Sequence, residues 1–159
     1  MAEQSIIFGK GGLGFEDWCF VHRLILRYGI KTVLEYGCGL STELLVCAGM
    51  KVTSLETQPT WAEPYINDKR FDVIVCNYSD GYPDLKGRYD LGFIDGPGAK
   101  EISDRSKSVL HAKQRCNFLY MHDFNLNQFE QIDGDDKWVR CTAPGNHKSH
   151  FYALRSYLI

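Results

Sequence analysis

Two glycines and an acid stand close together in the stretch VLEYGCGLST, residues 33–42. Gly37 and Gly39 have the spacing of a nucleotide-binding turn, where glycine lets the backbone approach a ligand closely. A dinucleotide-binding turn requires a third glycine, and Thr42 occupies that position. Glu35 would face the pyrophosphate, and two like charges about 4 Å apart repel by about 4 kcal/mol at an effective dielectric near 20. The stretch therefore disfavours NAD.

A second acid, Glu56, lies 17 residues after Gly39, at the end of the apolar run KVTSLE. An acid at this point of an open sheet accepts hydrogen bonds from ribose hydroxyls. The cofactor that suits both acids carries ribose, adenine and positive charge but no phosphate. S-adenosylmethionine fits this description, because its ammonium and sulfonium groups are positive.

A third group of polar residues ends two later apolar runs, in FIDGPGAK and YMHDFN. Asp95 and Asp123 are expected at the ends of adjacent central strands, near the sulfonium end of such a cofactor. Two carboxylates there either hold a divalent metal such as Mg, which would lower the pKa of a bound hydroxyl, or act as base and orienter. His122 is the alternative base, and a histidine at a strand end equally often satisfies a structural hydrogen bond.

The elements that must position these residues alternate between apolar runs and helical stretches, which is typical of a sheet with helices on both faces. We predict an α/β fold with a Rossmann-like open sheet of seven strands, mostly parallel, with an antiparallel C-terminal hairpin. A helix over residues 15–28 is expected to end at Gly29. The predicted strands are KTVLEY, KVTSLE, FDVIVCN, YDLGFID, CNFLYMHD, KWVRCTA and HFYALRS.

Three motifs together resemble those of the class I S-adenosylmethionine-dependent methyltransferases: VLEYGCGLST, VTSLE and YDLGFIDGP. The resemblance implies that Glu35 orients the methionine portion of the cofactor and that Glu56 and Asp95 also contact the cofactor. It further implies backbone contacts to the cofactor from the glycine turn, at Gly37, Cys38 and Gly39. It implies a contact to the cofactor carboxylate from the start of the next helix, at Ser41 and Thr42. Adenine recognition is implied after the third strand, at Asn77, Tyr78 and Ser79. Two alternatives remain open, because Ser41 suits a helix cap and Asn77 suits a turn.

The resemblance leaves the methyl acceptor open. O-methyltransferases similar to catechol O-methyltransferase place an asparagine directly after the second acid, whereas Phe124 follows Asp123 here and the asparagine is Asn125. This departure makes a metal the minority hypothesis. No N-P-P-Y motif for amino-group methylation occurs, which favours an oxygen acceptor on a small molecule. The alternatives are a cofactor-binding module without turnover and a methyltransferase acting on RNA or protein.

The composition fits one methyltransferase-like domain over residues 1–159, with an N-terminal segment and helix (1–29) before a Rossmann-like core (30–159). The chain has 44% hydrophobic residues and a formal charge of -2, so neither nucleic acid nor a membrane is an expected partner. Six cysteines without a C-x-x-C pair indicate a reduced, cytoplasmic protein. GKGGLG, residues 9–14, lacks phosphate-loop spacing and is interpreted as a mobile segment that folds over the ligands.

Overall fold

Strands and helices alternate along the chain in the computed structural model, which describes residues 13–98, 105–122, 132, 134–142 and 149–158. The helices are α1 (Phe15–Tyr28), α2 (Leu40–Cys47), α3 (Pro59–Ile66) and α4 (Ser106–Arg115). The strands are β1 (Thr32–Tyr36), β2 (Lys51–Glu56), β3 (Asp72–Val75), β4 (Tyr89–Ile94), β5 (Cys116–Met121), β6 (Trp138–Thr142) and β7 (His150–Leu154). Each of the seven predicted strands is present. The segment before residue 13, Asp123 and residues 143–148 of the hairpin turn lie outside the described residues.

The seven strands form one sheet in the order β3-β2-β1-β4-β5-β7-β6. The first five strands pair in parallel, and β7 is antiparallel to both of its neighbours, so six strands share a direction that β7 opposes. This confirms the predicted Rossmann-like fold class with its antiparallel C-terminal hairpin. The strand order reverses at β1, and open sheets of this kind bind ligands beyond the strand ends at such a point.

The two faces of the sheet bury separate apolar clusters, because successive side chains of a strand point to opposite faces. Val33 packs on one face with Val21 of α1 and Leu45 of α2. Leu34 packs on the other face with Val109 of α4. Helices therefore cover both faces, as predicted. Glu35 comes two residues after Val33 and shares its face, which directs its carboxylate towards α2.

Helix α1 ends where the sequence predicts. Gly29 adopts the left-handed conformation with φ 63°, and its N–H donates a hydrogen bond to the carbonyl of Ile25. Ile25, Val21 and Asp17 form the buried stripe of this helix. Within the described residues, even this helix lacks the length and apolar character that a membrane span needs.

Candidate cofactor and acceptor site

A contact between two backbone segments brings the loop after β1 against the loop after β4. The Asp95 N–H donates to the Tyr36 carbonyl at 3.1 Å, which extends the pairing of the two strands. Gly37 has a φ of +96°, and a Cβ at this residue would lie 3.0 Å from the Cα of Gly96. A Cβ at Gly96 would lie 2.8 Å from the Cα of Gly37. Only glycine at both positions permits this approach, which places Asp95 beside the glycine turn.

The positive φ of the glycine turn belongs to Gly37 and not to Gly39. Gly39 has a φ of 171°, which is extended backbone. The close contact with Gly96 accounts for this difference, because it falls at Gly37, two positions earlier. A Cβ at Gly39 would meet no atom within 4 Å. The residue therefore borders open space at the start of α2, and a cofactor fits the cradle that a larger side chain would fill.

Glu35 is fully buried, and three hydroxyl groups clasp its carboxylate. Ser41 Oγ donates to Oε1 at 2.6 Å, while Ser54 Oγ and Thr42 Oγ1 donate to Oε2 at 2.6 and 2.7 Å. Burial raises the pKa of Glu35 to about 7, against the lowering effect of these hydrogen bonds. Gly39, not Ser41, occupies the N-cap of α2, so the cap hypothesis for Ser41 is wrong. The contact of Glu35 with the cofactor stays a prediction.

Glu56 ties the glycine turn to the loop after β2. Its Oε2 accepts the N–H of Cys38 at 2.7 Å, and its Oε1 accepts those of Thr57 and Gln58 at 2.7 and 2.8 Å. A carboxylate offers about four acceptor positions, so a ribose hydroxyl remains compatible with these three bonds. Burial, followed by the charges of the two acids, raises the pKa of the Cys38 thiol far above its usual range. A raised thiol pKa disfavours the thiolate form that a nucleophile needs, and the group of Cys38 that bonds within the site is its N–H.

The residues predicted to read adenine form a turn after β3. Asn77 Oδ1 accepts the Ser79 N–H at 3.1 Å, which confirms the alternative interpretation of Asn77 as a turn residue. Lys107 of α4 donates through Nζ to the carbonyls of Tyr78 and Ser79 at 3.1 and 2.9 Å, and its Nζ lies 5.2 Å from the Tyr78 ring centroid. Sequence reasoning missed Lys107, because an exposed lysine on a polar helix gives no signal.

His122 and Asp95 lie side by side, whereas the sequence paired Asp95 with Asp123, which lies outside the described residues. His122 Nδ1 lies 3.0 Å from Asp95 Oδ1, and His122 Nε2 lies 3.6 Å from Asp17 Oδ2 of α1. Asp17 also accepts the Tyr120 hydroxyl through Oδ1 at 3.1 Å. Sequence reasoning missed Asp17, although an acid four residues before Val21, on the apolar stripe of α1, was a signal that could have found it.

Arg105 forms hydrogen bonds to both the loop after β4 and the residue after β5. The buried guanidinium donates from Nε to the Pro97 carbonyl at 2.7 Å and from Nη1 to the His122 carbonyl at 3.0 Å. The backbone of His122 is therefore fixed at the same level as the loop that follows Asp95. No sequence pattern pointed to Arg105, because its partners are carbonyl groups.

Asp123, the second of the two proposed metal ligands, lies outside the described residues. Among the side chains that the structure does describe, no group of three or more His, Cys, Asp or Glu residues could hold a metal ion. Asp95 is the one proposed ligand with a described position, and its Oδ1 faces His122. The metal site therefore stays a prediction.

Comparison with solved structures decides the fold family. An O-methyltransferase from Bacillus cereus bound to SAH superposes with a TM-score of 0.66, covering 92% of this chain and 83% of that chain at 14% identity. The chain has the class I methyltransferase fold. Other structural neighbours include a cofactor-bound protein from MTB and an SAH-bound methyltransferase from Podospora anserina. The MTB protein superposes with a TM-score of 0.66 at 17% identity, covering 94% of this chain and 84% of that chain. The Podospora anserina protein superposes with a TM-score of 0.62 at 14% identity, covering 88% of this chain and 77% of that chain.

Comparisons by sequence give nothing further. No family model matches the chain, and no curated protein matches it. The class I methyltransferase fold is therefore established by structure alone, and the activity has to be argued from the site.

Proposed function

We propose that this chain is a methyltransferase that uses S-adenosylmethionine to methylate an oxygen atom of a small molecule. The observation that carries the proposal is the Gly37–Gly96 contact, which brings Asp95, a partly exposed acid, next to the glycine turn. A cofactor loop and a proton-accepting group therefore share one edge of the sheet, which is the arrangement that methyl transfer to a hydroxyl requires.

The cofactor would lie along the loops after β1, β2 and β3. The neighbours crystallised with SAH support this choice of cofactor. The residues that we propose to hold it are Glu35, Gly37, Cys38, Gly39, Ser41, Thr42, Glu56, Asn77, Tyr78, Ser79 and Asp95. Glu35 and Ser41 would act mainly by fixing the start of α2, because they bond to each other inside the protein.

Asp95 is proposed to prepare the acceptor. When bound, S-adenosylmethionine supplies a methyl group on a positively charged sulfur and leaves as S-adenosylhomocysteine. The Asp95 carboxylate accepts the proton of the acceptor hydroxyl as the oxygen–methyl bond forms and the sulfur–methyl bond breaks. Its Oδ1 faces His122, so Oδ2 is the oxygen that we assign to the acceptor. Positioning of the acceptor oxygen behind the methyl group supplies much of the rate.

A divalent metal such as Mg, held by Asp95 and Asp123, is the variant of this proposal that a chelator tests. If the metal is required, removal of divalent ions abolishes turnover and magnesium or manganese restores it. Turnover that is unchanged by the chelator assigns proton transfer to the side chains alone.

The experiment that tests the proposed function measures release of S-adenosylhomocysteine from S-adenosylmethionine with the purified chain. Three acceptor pools are compared: hydroxylated small molecules, RNA, and denatured protein. We expect release above the acceptor-free control with the first pool, and loss of that release in Asp95→Asn. Release with RNA or protein alone would contradict the small-molecule acceptor. Absence of release from every pool, with cofactor still bound, would favour a binding module without turnover.

A further inference from the structure

Helix α1 contributes a second carboxylate to the acceptor side of the site. The His122 ring lies between Asp95 on its Nδ1 side, at 3.0 Å, and Asp17 on its Nε2 side, at 3.6 Å. The three side chains come from the residue directly after β5, from the loop after β4 and from α1, which are far apart in sequence. Such a row of charged and polar groups inside a protein holds its members in fixed orientations.

The exposures of the three side chains differ in a way that assigns their roles. The Asp95 side chain is 24% exposed, whereas those of His122 and Asp17 are 6% and 9% exposed. An acceptor can therefore reach Asp95, but it cannot reach the imidazole without moving one of the carboxylates. Since both ring nitrogens face carboxylates, His122 is better suited to orient Asp95 than to take a proton from an acceptor.

Asp17 is itself held in place. Its Oδ1 accepts the hydroxyl of Tyr120, a fully buried residue of β5, at 3.1 Å. Its position on the buried stripe of α1, with Val21 and Ile25, fixes it to the helix that covers this face. Gly14 leaves room for the carboxylate, because a Cβ there would lie 3.2 Å from Asp17 Oδ2. A buried carboxylate is unfavourable unless it is paired, so these partners are needed to keep it there.

We propose that Asp17 is a positioning residue that acts through His122 to hold Asp95 in the orientation that meets the acceptor. The proposal rests on the proposed function for the role of Asp95, but the row of three side chains stands on geometry alone. Asp95 is the member of the row that would meet the acceptor, His122 lies between the two carboxylates, and Tyr120 anchors Asp17. Helix α1 thereby couples the N-terminal part of the chain to the reacting group.

The test combines a spectroscopic readout with kinetics. Nitrogen NMR of the His122 ring is recorded for the intact parent chain, Asp17→Asn and Glu16→Gln, with His122→Gln used to assign the signals. Glu16 is the matched control, since it precedes Asp17 on α1 but is exposed. We expect Asp17→Asn to shift both His122 ring signals and Glu16→Gln to leave them unchanged. Unshifted ring signals in folded Asp17→Asn would overturn the proposal, whether or not the chain proves to be a methyltransferase.

The kinetic arm uses the acceptor pool that supports turnover. Asp17→Asn is expected to lower kcat on the order of tenfold, with KM and S-adenosylhomocysteine affinity close to those of the parent. If Asp17→Asn does not fold, Tyr120→Phe removes one hydroxyl from Asp17 and is expected to shift the His122 signals in the same direction by less. Unaltered kcat in Asp17→Asn, or unshifted signals in Tyr120→Phe when that variant must stand in, would contradict the positioning role. Loss of cofactor binding in Asp17→Asn would do so as well.

Discussion

The cofactor side and the acceptor side of this site use carboxylates in opposite ways. On the cofactor side, Glu35 and Glu56 are buried and receive six hydrogen bonds from hydroxyl and N–H groups of the chain itself. On the acceptor side, Asp95 has one oxygen facing His122, and its side chain stays partly exposed. An acidic residue at a strand end therefore stabilises the glycine turn on the cofactor side, whereas on the acceptor side it is partly exposed to solvent.

The difference shows that an acid at a strand end is not by itself a ligand contact. Glu35 and Glu56 hold the glycine turn, so the cofactor would be contacted largely by backbone groups that these acids keep in place. Asp95 is the acid that we propose acts on a bound molecule, because its side chain is partly exposed and only Oδ1 faces His122. A substitution at one of these acids should disturb the side of the site to which the acid belongs and leave the other side intact.

The largest effect is expected on the acceptor side. Asp95→Asn should lower turnover by about 10²- to 10⁴-fold, the usual contribution of a general base, because an amide cannot take the acceptor proton. S-adenosylhomocysteine affinity, measured by calorimetry, should stay close to that of the parent, because asparagine keeps the size of the side chain and one acceptor oxygen for the cofactor. Glu63→Gln, an exposed acid on α3, is the control and should have parent turnover. Parent-like turnover in Asp95→Asn would remove this residue from the mechanism.

The next effect concerns Glu35 and pH. Its pKa is raised to about 7, so between about pH 4.5 and 7 the folded protein retains a proton that the unfolded chain has released. This contribution to stability is therefore lost as the pH rises through that range, by about 3 kcal/mol at 1.36 kcal/mol per pKa unit. Glu35→Gln cannot titrate and should lack this slope. Urea unfolding of both proteins between pH 5 and 8 measures the difference, and identical slopes would contradict the buried clasp.

A smaller effect is expected at Glu56. Glu56→Ala removes the acceptor for the Cys38 N–H and should weaken S-adenosylhomocysteine binding by about 1.5 to 3 kcal/mol, the range for a hydrogen bond to a charged group. Glu56→Gln keeps an acceptor oxygen and should lie between the parent and Glu56→Ala. Equal affinities in all three proteins, measured by calorimetry, would show that Glu56 neither holds the turn nor meets the ribose.

The smallest effect is expected from Gly37→Ala. The residue has a φ of +96° and its new Cβ would press on Gly96, so the free energy of unfolding should fall by about 1 to 3 kcal/mol and cofactor binding should weaken. Gly49→Ala is the matched control, since it has a φ of +82° but nothing within 4 Å. It should lose stability without losing cofactor affinity. If both variants bind the cofactor equally well, the Gly37–Gly96 contact does not shape the site.

The sequence predicted the strands and helices well, because apolar runs and Gly29 report local preferences directly. It also placed the ends of β4 and β5 side by side, since the ends of adjacent parallel strands must meet, but it did not predict that His122 is the residue that meets Asp95. The hydroxyl clasp of Glu35 could not be predicted, because Ser54 reaches it only when β1 and β2 pair in the observed register. Asp17 was missed for a similar reason, since the packing of α1 on the sheet decides which acid meets His122.

Calorimetric titration of S-adenosylhomocysteine into the parent and Gly39→Val tests the central claim most directly. The valine side chain would fill the open space beside Gly39, and the extended φ of 171° lets it do so without unfolding the chain. The account predicts that the parent binds S-adenosylhomocysteine but not NAD, and that Gly39→Val binds neither while circular dichroism shows a folded protein. A parent that does not bind S-adenosylhomocysteine, or a Gly39→Val variant that binds it as tightly as the parent, would contradict the account.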